Sequence, residues 1–143
     1  MRVLGITVVA AGLMAASATA STQKSYYTFK TSGGLIECGI FVGGTYSESL
    51  LRCDIRTGLK PKVKRPRGCH FDYGSTLELR PSGRAFTGCV SDAIAPIKRV
   101  LRVGQNFDKG PFKCALRRKG LYCSNNHGNA FFLSKQRWYR YRF

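Results

Sequence analysis

A chain of 143 residues with 24 Lys and Arg against 7 Asp and Glu carries a formal net charge of +17 at neutral pH. Its length allows one domain rather than several. Its charge excludes a strongly basic partner, since like fields repel.

The chain begins with Met1-Arg2, an apolar run over 3–16 and small residues ending in Ala18-x-Ala20. Charged start, apolar middle and small-residue exit predict a secretory signal peptide over residues 1–20. The run is shorter than the ~20 apolar residues a spanning helix needs. Cleavage removes 20 of the 143 residues and leaves a single secreted domain over 21–143, 123 residues long. Of the charged residues it takes only Arg2, lowering the net charge from +17 to +16. No second long apolar stretch follows, so no transmembrane segment is expected in the mature chain and the location is secreted or periplasmic.

Strand-like alternation then recurs at 26–30, 35–41, 50–55, 76–80, 85–90, 99–103, 112–116, 121–124, 130–133 and 136–143. Turn residues separate these runs: Gly43-Gly44, Pro81-Ser82-Gly83, Asp108 to Pro111, and Asn125 to Asn129. No mature segment shows a 3.6-residue apolar period. Many short strands with regular turn signals predict an all-β fold, a small antiparallel barrel or sandwich.

Six cysteines in an exported chain imply three disulfides, and none of the spacings is the C-x-x-C of a zinc site. No metal and no cofactor are expected. In "FKCALRRKGLYC" a turn at Arg117 to Gly120 sets Leu116 opposite Leu121, Ala115 opposite Tyr122 and Cys114 opposite Cys123. Opposed Cβ atoms on antiparallel strands lie within disulfide reach. In "LIECGIF" and "LLRCDI" Cys38 and Cys53 each sit in the middle of an apolar face, as a cross-strand staple requires. Cys69 and Cys89 pair by elimination.

The stretches "SGGLIECGI", "LLRCDI", "CHFDYGSTLEL", "GRAFTGCVSDA", "FKCALRRKGLYCSN" and "HGNAFFLSK" together resemble a family of small bacterial secreted proteins of unknown function with six cysteines. The resemblance runs from about Phe29 to Tyr141. Gly34 stands where that family has Asn, and Asn129-Ala130 intervene between Gly128 and Phe131. The resemblance implies export and a disulfide-bonded small domain, without an activity.

The richest functional signal is charge. "KPKVKRPRGC" carries Lys60, Lys62, Lys64, Arg65 and Arg67, and no acid residue occurs between Asp54 and Asp72. After Asp108 there are nine Lys and Arg and no Asp or Glu. Such a surface attracts polyanions through its field and through counterion release; the plainer reading is solvated loops. The tail "SKQRWYRYRF" interleaves Arg137, Arg140 and Arg142 with Trp138, Tyr139, Tyr141 and Phe143. It reads as a final strand with Tyr139, Tyr141 and Phe143 packed inward and Trp138 and the arginines outside, a pattern that can also stack on bases or sugars. The expected function is non-enzymatic binding of an anionic envelope or extracellular polymer through Lys60, Lys62, Lys64, Arg65, Arg67, Arg137, Trp138, Arg140 and Arg142, with nucleic acid as a non-specific partner. One alternative is a ribonuclease-like hydrolase using His70 and His127, with Asp72 or Asp92 orienting an imidazole. The other is an inhibitor or neutraliser of an acidic secreted protein. Asp72 and Asp92 each follow a cysteine by three positions, and capping of local turns is their expected role.

Overall fold

The computed structural model describes residues 23–143; the expected leader and its cleavage site lie outside them. The strands are β1 (Ser25–Thr31), β2 (Ile36–Val42), β3 (Leu50–Ile55), β4 (Asp72–Leu79), β5 (Phe86–Val90) and β6 (Val100–Leu101) in one sheet. The second sheet holds β7 (Asn106–Lys109), β8 (Phe112–Arg117), β9 (Gly120–Asn125), β10 (Asn129–Leu133) and β11 (Trp138–Arg142). Sheet A runs β5-β4-β3-β2-β1-β6 and sheet B β11-β10-β9-β8-β7. Neighbours are antiparallel except β1 and β6, which run parallel. Neither sheet closes on itself, so of the two all-β forms expected this is the sandwich.

Period-2 alternation explains the elements. In β3, Leu51, Cys53 and Ile55 point inward while Leu50, Arg52 and Asp54 are half-buried on the other face. Phe29, Ile40, Leu77 and Leu79 of sheet A meet Phe107, Phe112, Leu121, Phe131 and Leu133 of sheet B in one core. The Phe29 and Phe107 rings sit 4.8 Å apart, centroid to centroid. β7 escaped the sequence reading because Phe107 is its single apolar residue. The run expected over 99–103 shrinks to two residues, because the chain there leaves sheet A for sheet B. The turn into β2 uses Gly34 at φ 65°. This is left-handed backbone open to Gly and next best to Asn, so the departure from the Asn of the resembling family keeps the turn.

All three disulfides pair as expected. Cys38–Cys53 joins β2 to β3 and Cys114–Cys123 joins β8 to β9, each at a Cα separation of 4.1 Å and each in the core. Cys69–Cys89, at 5.8 Å, ties the loop before β4 to β5, and Cys89 is exposed. No cysteine is free, which suits an oxidising, extracellular or periplasmic environment. Among the described residues no helix is long and apolar enough to cross a membrane.

The final strand forms as predicted, but with its faces exchanged. Trp138 lies opposite core residue Leu133 and packs on the core, whereas Tyr139 lies opposite Phe132 on the outer face. Tyr139 is 39% and Phe143 78% exposed. Both phases of this tail carry aromatics, so alternation alone does not choose between them.

Residues 91–99 link β5 at one edge of sheet A to β6 at the other, and so cross its outer face. Arg52 holds this strap: its Nη1 donates to the Asp92 carboxylate at 2.7 Å and its Nη2 to the Asp92 carbonyl at 2.6 Å. The same guanidinium makes two bonds to Asp54, whose Oδ1 also accepts from Thr76. At the far side the Thr28 hydroxyl donates to the Pro96 carbonyl and accepts from the Lys98 amide. Asp92, expected to cap a turn, is therefore an ion-pair partner. Burial opposes the Arg52 charge, but its bonds to Asp54 and Asp92 more than offset that and raise its pKa. The hydrogen bond from Arg52 holds the Asp92 carboxyl below its usual range. Burial raises the Glu78 pKa above its ordinary value, with Arg52, opposite it on β3, and Arg80 countering only in part.

Three outcomes follow for stability. Graded reduction with alkylation and mass spectrometry is expected to label Cys69 and Cys89 first, with the four core cysteines released only on unfolding; equal labelling of all six contradicts this. Replacing Arg52 by Ala should cost about 2 kcal/mol in urea unfolding and speed hydrogen exchange across residues 91–99. Because folding raises the Glu78 pKa, its ionised form weakens the fold at pH 7 and its protonated form below the ordinary value does not. Glu78→Gln should therefore raise Tm at pH 7, and the gain should vanish as pH falls below about 4.

Candidate functional site

Sheet register sorts the loops onto two ends of the sandwich. At one end lie the β1–β2, β8–β9 and β10–β11 turns, the start of β7 and the long loop between β3 and β4. This end is basic. Arg117, Arg118 and Lys119 of one turn face Ser134, Lys135 and Gln136 of another across a cleft of about 250 Å³ floored by Leu35, Val103 and Leu116. Arg118, Lys119, Ser134 and Gln136 also line an adjoining hollow of about 430 Å³ that reaches Arg137 and Phe132. No carboxylate lines either.

Local chemistry holds these cations in place. Arg117 donates to the Asn106 side chain at 2.8 Å and to the Gln105 carbonyl at 3.3 Å. The Ser134 hydroxyl accepts from the Arg137 amide and donates to its carbonyl, closing the β10–β11 turn. The Arg137 guanidinium lies 6.0 Å from the Phe132 ring centroid and 5.8 Å from that of Tyr139, a cation–π geometry. Arg118, Lys119 and Lys135 remain exposed.

The basic run over 60–67 leaves sheet A at this same end. It is a docked loop rather than a free tether. Leu59 is 2% exposed and its amide donates to the Gly74 carbonyl. Val63 packs on the core, and Arg65 donates to the Phe71 carbonyl at 2.7 Å. The Trp138 amide donates to the Lys60 carbonyl at 3.0 Å and the indole Nε1 to the Pro61 carbonyl at 3.2 Å. The two basic segments singled out in the sequence therefore touch. Lys60, Lys62, Lys64, Arg65 and Arg67 are all exposed, and it is the Lys60 end of the run that meets Trp138; Lys62 also edges a hollow of about 200 Å³ with Tyr73.

Arg140 and Arg142 belong to a different place. With Trp138, Pro61 and Arg84 they line a cleft of about 380 Å³ along the open side of β11. Arg140 reaches across to the Ala85 carbonyl at 3.1 Å, 5.9 Å from the Trp138 ring centroid. On the outer face, Tyr122, Phe132, Tyr139, Tyr141 and Phe143 form an aromatic row, and burial raises the Tyr141 pKa. Sequence reasoning missed Arg84, which sits in an ordinary turn. It also passed over Arg117, Arg118, Lys119 and Lys135, although the acid-free stretch after Asp108 had marked their region.

The histidines do not come together. His70 precedes β4 at the basic end, whereas His127 lies in the β9–β10 turn at the opposite end. That turn is built by Asn125, whose Oδ1 accepts from the His127 and Asn129 amides, and by Gly128 at φ 74°. The shared imidazole pair of the hydrolase alternative is absent, and Asp92 is engaged by Arg52 rather than by a histidine. Among the described residues no group of three His, Cys, Asp or Glu side chains is placed to hold a metal ion.

No curated protein and no solved structure matches the chain. One family model does, over residues 8–141, taking in all six cysteines and every strand but the end of β11. The chain belongs to this family of unknown function, DUF6636.

Proposed function

We propose that this protein is a secreted, non-enzymatic binder of an anionic envelope or extracellular polymer, and that the basic end of the sandwich is its binding surface. One observation carries the reading. Cations from three separate stretches, 60–67, 117–119 and 135–137, gather at one end, and no carboxylate lines the clefts between the second and third of them. A polyanion crossing this surface neutralises several fixed charges at once and releases its counterions. The loops are tied down by Leu59, Trp138 and the Ser134 turn, so little ordering entropy opposes binding. The cationic side chains on aromatic and aliphatic beds are poorly suited to proton transfer and well suited to electrostatic capture.

A salt titration with a single-stranded oligonucleotide as calibrated polyanion tests this, followed by lipopolysaccharide and teichoic acid. Five phosphate contacts give a log–log slope of about −3 to −4. The triple variant Arg118→Gln, Lys119→Gln, Lys135→Gln should make the slope shallower by about 2 while leaving the fold intact. A salt-independent response, or a variant indistinguishable from the parent, overturns the proposal.

A further inference from the structure

The cleft along β11 differs in kind from the basic end, because one of its walls is an unfinished sheet edge. β11 closes sheet B with β10 on one side only. The turn pairs Ser134 with Arg137 through the Ser134 amide and the Arg137 carbonyl, and the Phe143 amide donates to the Gly128 carbonyl. In an antiparallel ladder hydrogen-bonded and non-hydrogen-bonded pairs alternate. Tyr139 and Tyr141 therefore spend their backbone groups on β10, and Trp138, Arg140 and Arg142 turn theirs away from it. The Trp138 amide bears this out by donating outward to the Lys60 carbonyl. The N–H and C=O groups of Arg140 and Arg142 face the cleft that Pro61 and Arg84 bound on its far side.

We infer that this edge is a peptide-binding site: an extended, acidic segment of a partner protein adds to sheet B beside β11 as a sixth strand. The backbone of the incoming segment pairs with Arg140 and Arg142. Its side chains alternate between the side facing sheet A, where Arg84, Arg140 and Arg142 favour carboxylates, and the outer side, where Tyr139 and Tyr141 offer apolar contact. The docked loop at Pro61 stops the added strand at one end and fixes its register. A second copy of this chain is the wrong occupant, since pairing β11 with β11 brings Arg140 and Arg142 against their own counterparts, and like charges directly opposed are unfavourable. A cleft of about 380 Å³ is also within the range of sites that hold small ligands and peptides.

The chain has a single tryptophan, Trp138, and it lines this cleft, so intrinsic fluorescence reads occupancy directly. The probe is a capped peptide of alternating Glu and Val, titrated against the intact, oxidised protein at fixed ionic strength. A saturable change in Trp138 emission is expected. A peptide of the same sequence with alternate backbone amides methylated, carrying the same charge but unable to pair along one edge, should bind about tenfold more weakly. Arg142→Pro removes an amide that donates to nothing within the sheet, and should weaken binding by about tenfold more than Arg142→Ala, which removes only the charge. The basic-end triple variant should bind the peptide as the parent does, which separates this site from the polyanion surface. Equal affinity for the methylated and unmethylated peptides overturns the inference even if Arg142→Pro fails to fold. So does a dimer in sedimentation that is broken by Arg142→Pro.

Discussion

Two sulfur cross-links inside one core set the terms for everything else in this molecule. Cys38–Cys53 and Cys114–Cys123 each join neighbouring strands, one pair in each sheet, and both face the same apolar interior. A chain with an excess of 17 positive charges repels itself when compact. Each bridge restricts the unfolded chain by about 3 kcal/mol in the loop-entropy account, comparable with much of the stability of a small domain. The sandwich can therefore carry a charge density that an unstapled domain of this size would struggle to tolerate.

The few acids are spent with economy. Asp54 and Asp92 converge on Arg52, and Glu37 pairs with Arg56 at 2.9 Å, all on the outer face of sheet A or at its rim. Glu78 lies opposite Arg52 on the same face. This gathering fastens the strap of residues 91–99, while the β8–β9 and β10–β11 turns of sheet B hold no carboxylate. The third disulfide, Cys69–Cys89, extends the logic by anchoring the loop that presents Lys60 to Arg67.

The two proposed sites divide in the same way as the charges. The turns at the basic end present side chains, and their attraction for a polyanion is non-directional. The β11 edge presents backbone, whose hydrogen-bond spacing is directional and selects an extended chain. On the proposed reading of that edge, the Arg140 and Arg142 side chains disfavour a second copy and favour an acidic strand.

Much was legible from local spacing alone. The alternation in "LLRCDI" and the turn in "FKCALRRKGLYC" identify β3 and the β8–β9 hairpin, and with them two of the disulfides, because both depend only on which neighbours face the same way. The all-β class and the basic character are likewise sums over local features. What the chain order does not carry is which distant segments meet. The face Trp138 presents, the meeting of Trp138 with Lys60 and Pro61, the capture of Asp92 by Arg52, and the entry of Arg84 into the β11 cleft are each decided between residues 40 or more positions apart in sequence. Such contacts arise from packing two sheets against each other. A single strand's periodicity contains no record of its partner across the core, so only the tertiary structure could settle them.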